Sequence, residues 1–231
     1  MRVSDIEVTL VDSMGSDLSV VNAARVSFNK ESEWEWGEID GSDELVLSKS
    51  DAKLINYLAK NKHFSPFNHS FITCRVKAPI FVARQLVKHK FMPWNEVSRR
   101  YVDDEPEFYF PEFWRKKADN VKQGSSNEEV EFGENHQYAV VDAVVDQTSF
   151  SLSVYHYLLK GGVCAEQARM VLPMNTMTEW IWSGTLGAYA DMLKLRLDPH
   201  TQYESRIVAE KIEEKILPIF PVSLPSLLES K

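Results

Sequence analysis

The sequence predicts an α/β (α+β) fold: a single domain over residues 1–231, with a mixed or antiparallel sheet flanked by long helices. Three observations predict it. The runs at 6–11 and 71–76 alternate apolar with polar residues at the two-residue period of a half-buried strand, and 178–183 is strand-like. Elsewhere apolar residues recur at three- and four-residue steps over longer stretches, the longest from Gln137 to Leu159. No linker or internal repeat divides the chain, and 231 residues suffice for one substantial core.

The elements follow in order. Ile6 to Val11 reads as a strand, and Ser16-Asp17 offers an N-cap to a short helix ending at Arg25. Residues 29–49 are rich in acids, carry Trp34 and Trp36, and read as an exposed loop. Ser50 is placed to cap a helix from Asp51 to about Asn61, with Leu54, Ile55 and Leu58 as its apolar stripe. Pro66 should hold Ser65 extended in the turn from His63 to His69. Phe71 to Val76 is a strand with Cys74 as a small buried residue. Pro79 then suits the first position of a helix that buries Phe81, Val82, Leu86 and Val87 and runs to Pro93. Arg84 and Lys88, four apart, would share one face of it.

Residues 102–135 read as a surface excursion, polar around Gln123–Asn127. In the long helix, Tyr138, Val141, Val145, Thr148, Leu152, Tyr155 and Leu159 form one stripe that suits core or a subunit interface, and Gly161-Gly162 stops it. Gly184 to Ala188 enters a helix reaching about Leu195. Asp198-Pro199 reads as an N-cap with proline behind it, opening a final helix with Tyr203, Ile207, Val208, Ile212 and Ile216 inward.

Composition narrows the function. With 44% hydrophobic and 26% charged residues this is an ordinary soluble globular composition. No apolar run approaches the roughly 20 residues of a membrane span, and no signal-peptide layout opens the chain. Two cysteines give no disulfide framework, so a reducing cytoplasmic setting is expected. Six scattered histidines lack metal-ligand spacing, and no metal is expected. The net charge of -8 opposes affinity for a phosphate backbone, so neither nucleic acid nor membrane is an expected partner.

Against that background residues 84–101 stand out. Arg84, Lys88, Lys90, Arg99 and Arg100 face one acid, Glu96, among Gln85, His89, Asn95, Ser98 and several aromatics. A local cationic concentration on an acidic chain suits a discrete anion carrying a flat heterocycle. A solvated helix end with its usual basic residues is the bland alternative.

Lys88-His89-Lys90, seven residues, then Ser98 resembles the signature of the flavin-dependent thymidylate synthases, Arg-His-Arg, seven residues, Ser. Asn95-Glu96-Val97-Ser98-Arg99-Arg100-Tyr101 matches that family's continuation, while both arginines of the triplet are lysines here. His63-Phe64-Ser65-Pro66-Phe67-Asn68-His69 is similar to its His-x-Thr-Pro-Phe-Glu-His turn, with Ser65 for Thr and Asn68 for Glu. Similar stretches recur at Arg25–Phe28, Ala78–Gln85, Val163–Asn175 and Leu195–Gln202. Thr185-Leu186-Gly187 departs from an Asn-x-Arg triplet that many members use for the flavin.

The resemblance implies reductive methylation of dUMP to dTMP by 5,10-methylenetetrahydrofolate, with FAD and NADPH, in a homotetramer whose sites lie at subunit interfaces. It implies that His63, Ser65, Lys88, His89, Lys90, Glu96 and Asp191 lie at FAD, with Ser27 contributing. It implies that Gln85, Lys88, Glu96, Ser98, Arg99, Arg100, Arg169 and Arg196 hold dUMP. Arg100 suits the phosphate, because guanidinium binds phosphate bidentately. Arg196 and Ser98 are the catalytic candidates: Arg196 to favour an anionic uracil, Ser98 to orient it, since a serine without a paired base is a poor nucleophile. A flavin-free synthase would need a cysteine in a Pro-Cys-His setting, which neither Cys74 nor Cys164 has. The altered triplet leaves one rival, a catalytically impaired nucleotide- and flavin-binding module of the same fold.

Overall fold

Two nine-residue strands, Phe71–Pro79 and Met177–Thr185, lie antiparallel in unbroken register, from Phe71 opposite Thr185 to Pro79 opposite Met177. In the computed structural model, which describes residues 1–39, 41–119, 125–132 and 136–230, everything else is arranged around this pair. The chain begins with β1 (Arg2–Val3), β2 (Glu7–Met14) and α1 (Asp17–Arg25), then β3 (Glu35–Ile39), β4 (Ser42–Val46) and α2 (Lys49–Lys60). The first long strand is β5, followed by α3 (Ile80–Leu86), β6 (Trp94–Glu96), β7 (Glu107–Phe108), β8 (Arg115–Lys117) and β9 (Ser125–Glu129). Next come α4 (His136–Lys160) and α5 (Ala165–Ala168), and the second long strand is β10. The chain closes with α6 (Leu186–Arg196), α7 (Tyr203–Ile216) and α8 (Ser223–Glu229).

The main sheet has the order β2-β5-β10-β6 and is antiparallel throughout. Alternation does the work expected of it. Ile72, Cys74, Val76 and Ala78 of β5 and Trp180 and Trp182 of β10 are buried, while Phe71 and Arg75 face outward. Against the buried face pack Val20 and Val21 of α1, Val82 and Leu86 of α3, Tyr189 and Leu193 of α6, and Val208 and Ile212 of α7. The central helix α6 is buried on nearly every side, which suits a helix enclosed by sheet and neighbouring helices. A second apolar cluster joins Leu152 and Tyr155 of α4 to Phe108 and Ala168.

Several expectations need correcting. Residues 29–49 include a β3–β4 hairpin, not only a loop. Ser48 rather than Ser50 caps α2, its hydroxyl accepting from Asp51 N–H at 3.1 Å while Ser50 lies inside the helix. Pro79 ends β5 and is the residue before α3, not inside it. The helix after it stops at Leu86, and Phe91 turns the chain with φ +61°, so Lys88 and Lys90 lie in a turn. Pro93 bars helix only at Met92 and so does not account for the earlier stop. Ser65 belongs to a single 3₁₀ turn, Ser65–His69, instead of an extended segment. Asp198 accepts from His200 N–H at 2.7 Å in a separate turn, and α7 starts later, after Gln202. α7 is not final, since α8 follows and packs on α2 and α6. In α4 the expected stripe is buried only in its second half, at Thr148, Leu152 and Tyr155, whereas Val141 is exposed. The Tyr138 side chain and residues 123–124 lie outside what is described.

Asp17 ties the end of the chain to its beginning. Its buried carboxylate accepts from Val222 N–H and Ser223 N–H, both at 2.9 Å, at the start of α8. Burial pushes this carboxyl above its ordinary pKa, and the hydrogen bonds from Val222 and Ser223 offset that only in part. Asp17→Ala leaves both donors unpaired and should lower stability by about 2 kcal/mol or more. Urea unfolding checks this, with amide exchange in α8 rising ahead of that in β5.

Candidate active site

A groove of about 480 Å³ opens where the C-terminal end of β5 meets the start of β10 and the edge strand β6. The register explains its wall. Glu96 lies opposite Trp180 and Trp94 opposite Trp182, so alternate residues of β6 point to the side covered by α3. There the Glu96 carboxylate is fully engaged. It accepts from Arg84 Nη2 at 2.9 and 3.0 Å, from Trp94 Nε1 at 3.0 Å and from Thr178 Oγ1 at 2.9 Å. Those contacts use the roughly four acceptor positions a carboxylate has. Glu96 therefore acts first as an organiser of its own wall, and Arg84, with its side chain 56% exposed, is held over the opening.

Arg99 and Arg169 line the same groove. Arg99 pairs with Asp104 and donates to its carbonyl at 3.0 Å, while Lys77 pairs with Glu107. The groove is thus balanced, with Arg2, Lys77, Arg84, Arg99 and Arg169 against Glu96, Asp104, Glu105, Glu107 and Glu179. That corrects the expectation of a simply cationic pocket. Among the described residues, Arg2 and Arg169 make no ion pair, so the net pull on an anion comes from that side. Ser98 accepts from Arg100 Nε at 3.0 Å, and among the described residues no imidazole or carboxylate pairs with its hydroxyl. Gln85 does not line this groove, and its side-chain oxygen accepts from Ser205 Oγ of α7.

A second constellation lies at the turn after α3. Arg196 Nε, in the last turn of α6, donates to His89 Nε2 at 2.9 Å. The imidazole is tilted against Trp182, with centroids 6.1 Å apart. Burial first, and the guanidinium beside it second, push the His89 pKa down to about 4. Lys88 and Lys90 on either side are exposed and form no ion pair among the described residues. Trp94 and Trp182 connect the two places, since Trp94 bonds Glu96 and meets Trp182 edge-on at 5.6 Å. His63, Ser65, Asp191 and Ser27 are exposed and do not line this groove; His63 instead stacks on Tyr57 at 6.1 Å.

Two of the departures from the family pattern, Asn68 and Thr185–Gly187, meet each other. Asn68 Oδ1 accepts from Thr185 Oγ1 at 2.8 Å, and a Cβ at Gly187 would come within 2.5 Å of the same oxygen. A longer side chain at 187 therefore has no room while Asn68 keeps this bond. The sequence singles out Arg84 in the cationic stretch, and Asn68 and Thr185–Gly187 as departures from the family, without assigning any of them a ligand or partner; Thr178 it does not single out. Their bonds to Glu96 and to each other depend on strand register and leave no local signal.

The fold is an antiparallel sheet with a groove that four arginines line and an arginine–histidine pair at a flanking turn. A family model described as "Thymidylate synthase complementing protein" matches residues 9–222. The chain is 38% identical over 213 residues to a flavin-dependent thymidylate synthase of Thermus thermophilus, covering 90% of this chain and 72% of that one. It is 37% identical over 222 residues to one from Thermosipho melanesiensis, covering 96% and 88%. The fold is similar to the crystal structure of the UMP/dUMP methylase PolB from Streptomyces cacaoi bound with 5-Br dUMP, with TM-score 0.82, 33% identity and coverage of 99% and 97%. The chain belongs to the flavin-dependent thymidylate synthase family and is an enzyme of it.

Gly187→Ala sets two effects of similar size against each other. Helix propensity favours alanine by about 1 kcal/mol, while displacing Asn68 forfeits a hydrogen bond worth about 1 kcal/mol. The substitution should be near neutral in the parent and stabilising by about 1 kcal/mol in an Asn68→Ala background. A double-mutant cycle by urea unfolding reads that coupling.

Proposed function

We propose that this enzyme methylates dUMP to dTMP, taking the carbon from 5,10-methylenetetrahydrofolate, with FAD as cofactor and NADPH as reductant. The observation that carries the reading is whole-chain similarity to a UMP/dUMP methylase, combined with Glu96 and the His89–Arg196 pair fixed on one tryptophan cluster beside a groove that Arg169 lines. The residues fit a pyrophosphate-bearing cofactor. Lys88 and Lys90 offer exposed positive charge on a chain of net charge -8, and the half-buried His89 ring, backed by the buried Trp182, lies between them. His63, Ser65, Glu96, Asp191 and Ser27 complete the proposed FAD set. FAD, when bound and reduced, supplies hydride.

The chain's own residues divide the remaining tasks. Arg100 and Arg169 hold the nucleotide phosphate, with Arg99, Gln85, Lys88 and Glu96 around the rest of the nucleotide. Arg196 hydrogen-bonds the uracil edge and stabilises the negative charge developing there. Ser98, held by Arg100, orients the ring rather than attacking it. We extend the reading to one domain of residues 1–231, working in the cytoplasm as a homotetramer with shared sites and no metal, nucleic acid or membrane partner. The position of His63, Ser65 and Asp191 outside their own chain's groove supports sites completed by a neighbouring subunit.

Tritium release from C5 of labelled dUMP, with methylenetetrahydrofolate and NADPH, should require FAD and survive Cys74→Ala/Cys164→Ala. No release despite confirmed dUMP binding would move the reading to a nucleotide- and flavin-binding module. A second substrate reading, UMP, is favoured by similarity to the same methylase bound with 5-Br UMP, at TM-score 0.80; the same assay with labelled UMP ranks the two by kcat/KM.

The lysines of the triplet keep charge but lose the planar fork of arginine. Lys88→Arg/Lys90→Arg should tighten FAD binding several-fold, read by flavin fluorescence titration; equal affinity would contradict the assignment of these side chains to the cofactor.

A further inference from the structure

Arg196 carries five N–H donors and no acceptor, and stays charged at any pH at which the protein is folded. Its Nε lies 2.9 Å from His89 Nε2, so that ring nitrogen accepts. An imidazole that accepts at Nε2 is neutral and carries its proton on Nδ1. We propose that His89 is a positioning residue for Arg196: its unprotonated Nε2 pins the Arg196 Nε–H and leaves the two terminal guanidinium nitrogens for the substrate.

Three elements hold this geometry. His89 sits in the turn after α3, Arg196 ends α6, and Trp182 of β10 supports the imidazole from below. Trp182 is itself immobilised. It is fully buried, Trp94 meets it edge-on, and Tyr189 of α6 donates its hydroxyl to the Trp182 carbonyl at 2.7 Å. An arginine otherwise has several rotatable bonds to fix, and ordering them on binding costs affinity or rate. Anchoring Nε beforehand removes that cost and points the planar fork one way. Burial and the neighbouring guanidinium both disfavour imidazolium, which keeps Nε2 available as an acceptor at neutral pH. No other hydrogen bond of the Arg196 guanidinium is formed among the described residues, so its remaining four donors are open to a ligand.

The proposal rests on the methylation reading for the identity of the substrate, but the hydrogen bond itself can be tested without turnover. Nitrogen-15 NMR of the ring-labelled, FAD-loaded protein should show His89 with Nδ1 protonated and Nε2 unprotonated between pH 8 and 6. A protonated Nε2 in that range overturns the proposal whatever the enzyme's activity. Steady-state kinetics at saturating FAD provides the second arm. His89→Gln, whose amide oxygen can accept from Arg196, should retain a kcat about tenfold or more above that left by a non-accepting side chain. His89→Leu, which cannot accept, should lose about 10- to 100-fold in kcat, the size expected for one hydrogen bond to a charged group. KM for dUMP should change less than kcat, because the lost alignment acts on developing charge. Equal rates for the Gln and Leu variants at equal FAD content would overturn the proposal, whether both match the parent or both are inactive. Should the Leu variant fail to fold, the NMR tautomer and the Gln variant decide. An inactive parent with the Nδ1–H tautomer intact would instead count against the methylation reading alone.

Discussion

The pairing of β5 with β10 is the constraint on which the rest depends. The two strands are separated by about a hundred residues of sequence, yet all nine positions of each are in register. Such a long-range contact is costly in loop entropy and forms late or slowly. Once formed, its antiparallel sense decides which segments become neighbours. At one end the turn before β5 meets the start of α6, which brings Asn68 to Thr185 and Gly187. At the other end the start of α3 meets the start of β10, which brings Arg84 and Thr178 to Glu96. The eleven-residue α6 then runs back about 16 Å along the sheet and delivers Arg196 to the turn carrying His89.

The tryptophans make this arrangement rigid enough for chemistry. Trp94 stacks on Trp180 at 4.3 Å and meets Trp182 edge-on, so strands β6 and β10 share one aromatic block. Aromatic pairs of this geometry add roughly 0.5–1.5 kcal/mol each beyond their buried area. Through this block the carboxylate of Glu96 on one side and the imidazole of His89 on the other are fixed relative to each other. Two polar groups from different elements are thus held without a direct bond between them. Charge is handled in the same economical way: most cations of the groove are already paired, leaving Arg2 and Arg169 as the open positive side.

How far the sequence foretold this differs by kind of feature. Ile72, Cys74, Val76 and the Leu152–Tyr155 half of α4 were legible because burial imprints a two- or three-to-four-residue period on one segment alone. The family motif was legible because its residues are contiguous, from Lys88 to Tyr101. Helix ends were not. Ser48 and Ser50 are equally good caps by type, and only the backbone geometry selects Ser48. The stop at Leu86 carries no glycine or proline beside it, and the left-handed Phe91 in the turn that follows is a conformation rare for a non-glycine residue and invisible in composition. The four-way engagement of Glu96 and the bond between His89 and Arg196 join residues up to 107 positions apart. No local pattern encodes them. The expected helix face shared by Arg84 and Lys88 failed for the same reason, since the helix ended between them.

The central claim is that reduced flavin held by this chain would supply the hydride that converts the methylene unit transferred onto dUMP into the methyl group of dTMP. The most direct test is a single anaerobic turnover: protein loaded with FAD, chemically reduced beforehand, then mixed with dUMP and methylenetetrahydrofolate without NADPH. The account predicts return of the oxidised flavin absorbance together with one dTMP for each flavin oxidised. Flavin that stays reduced, or dTMP formed without flavin oxidation, would contradict it.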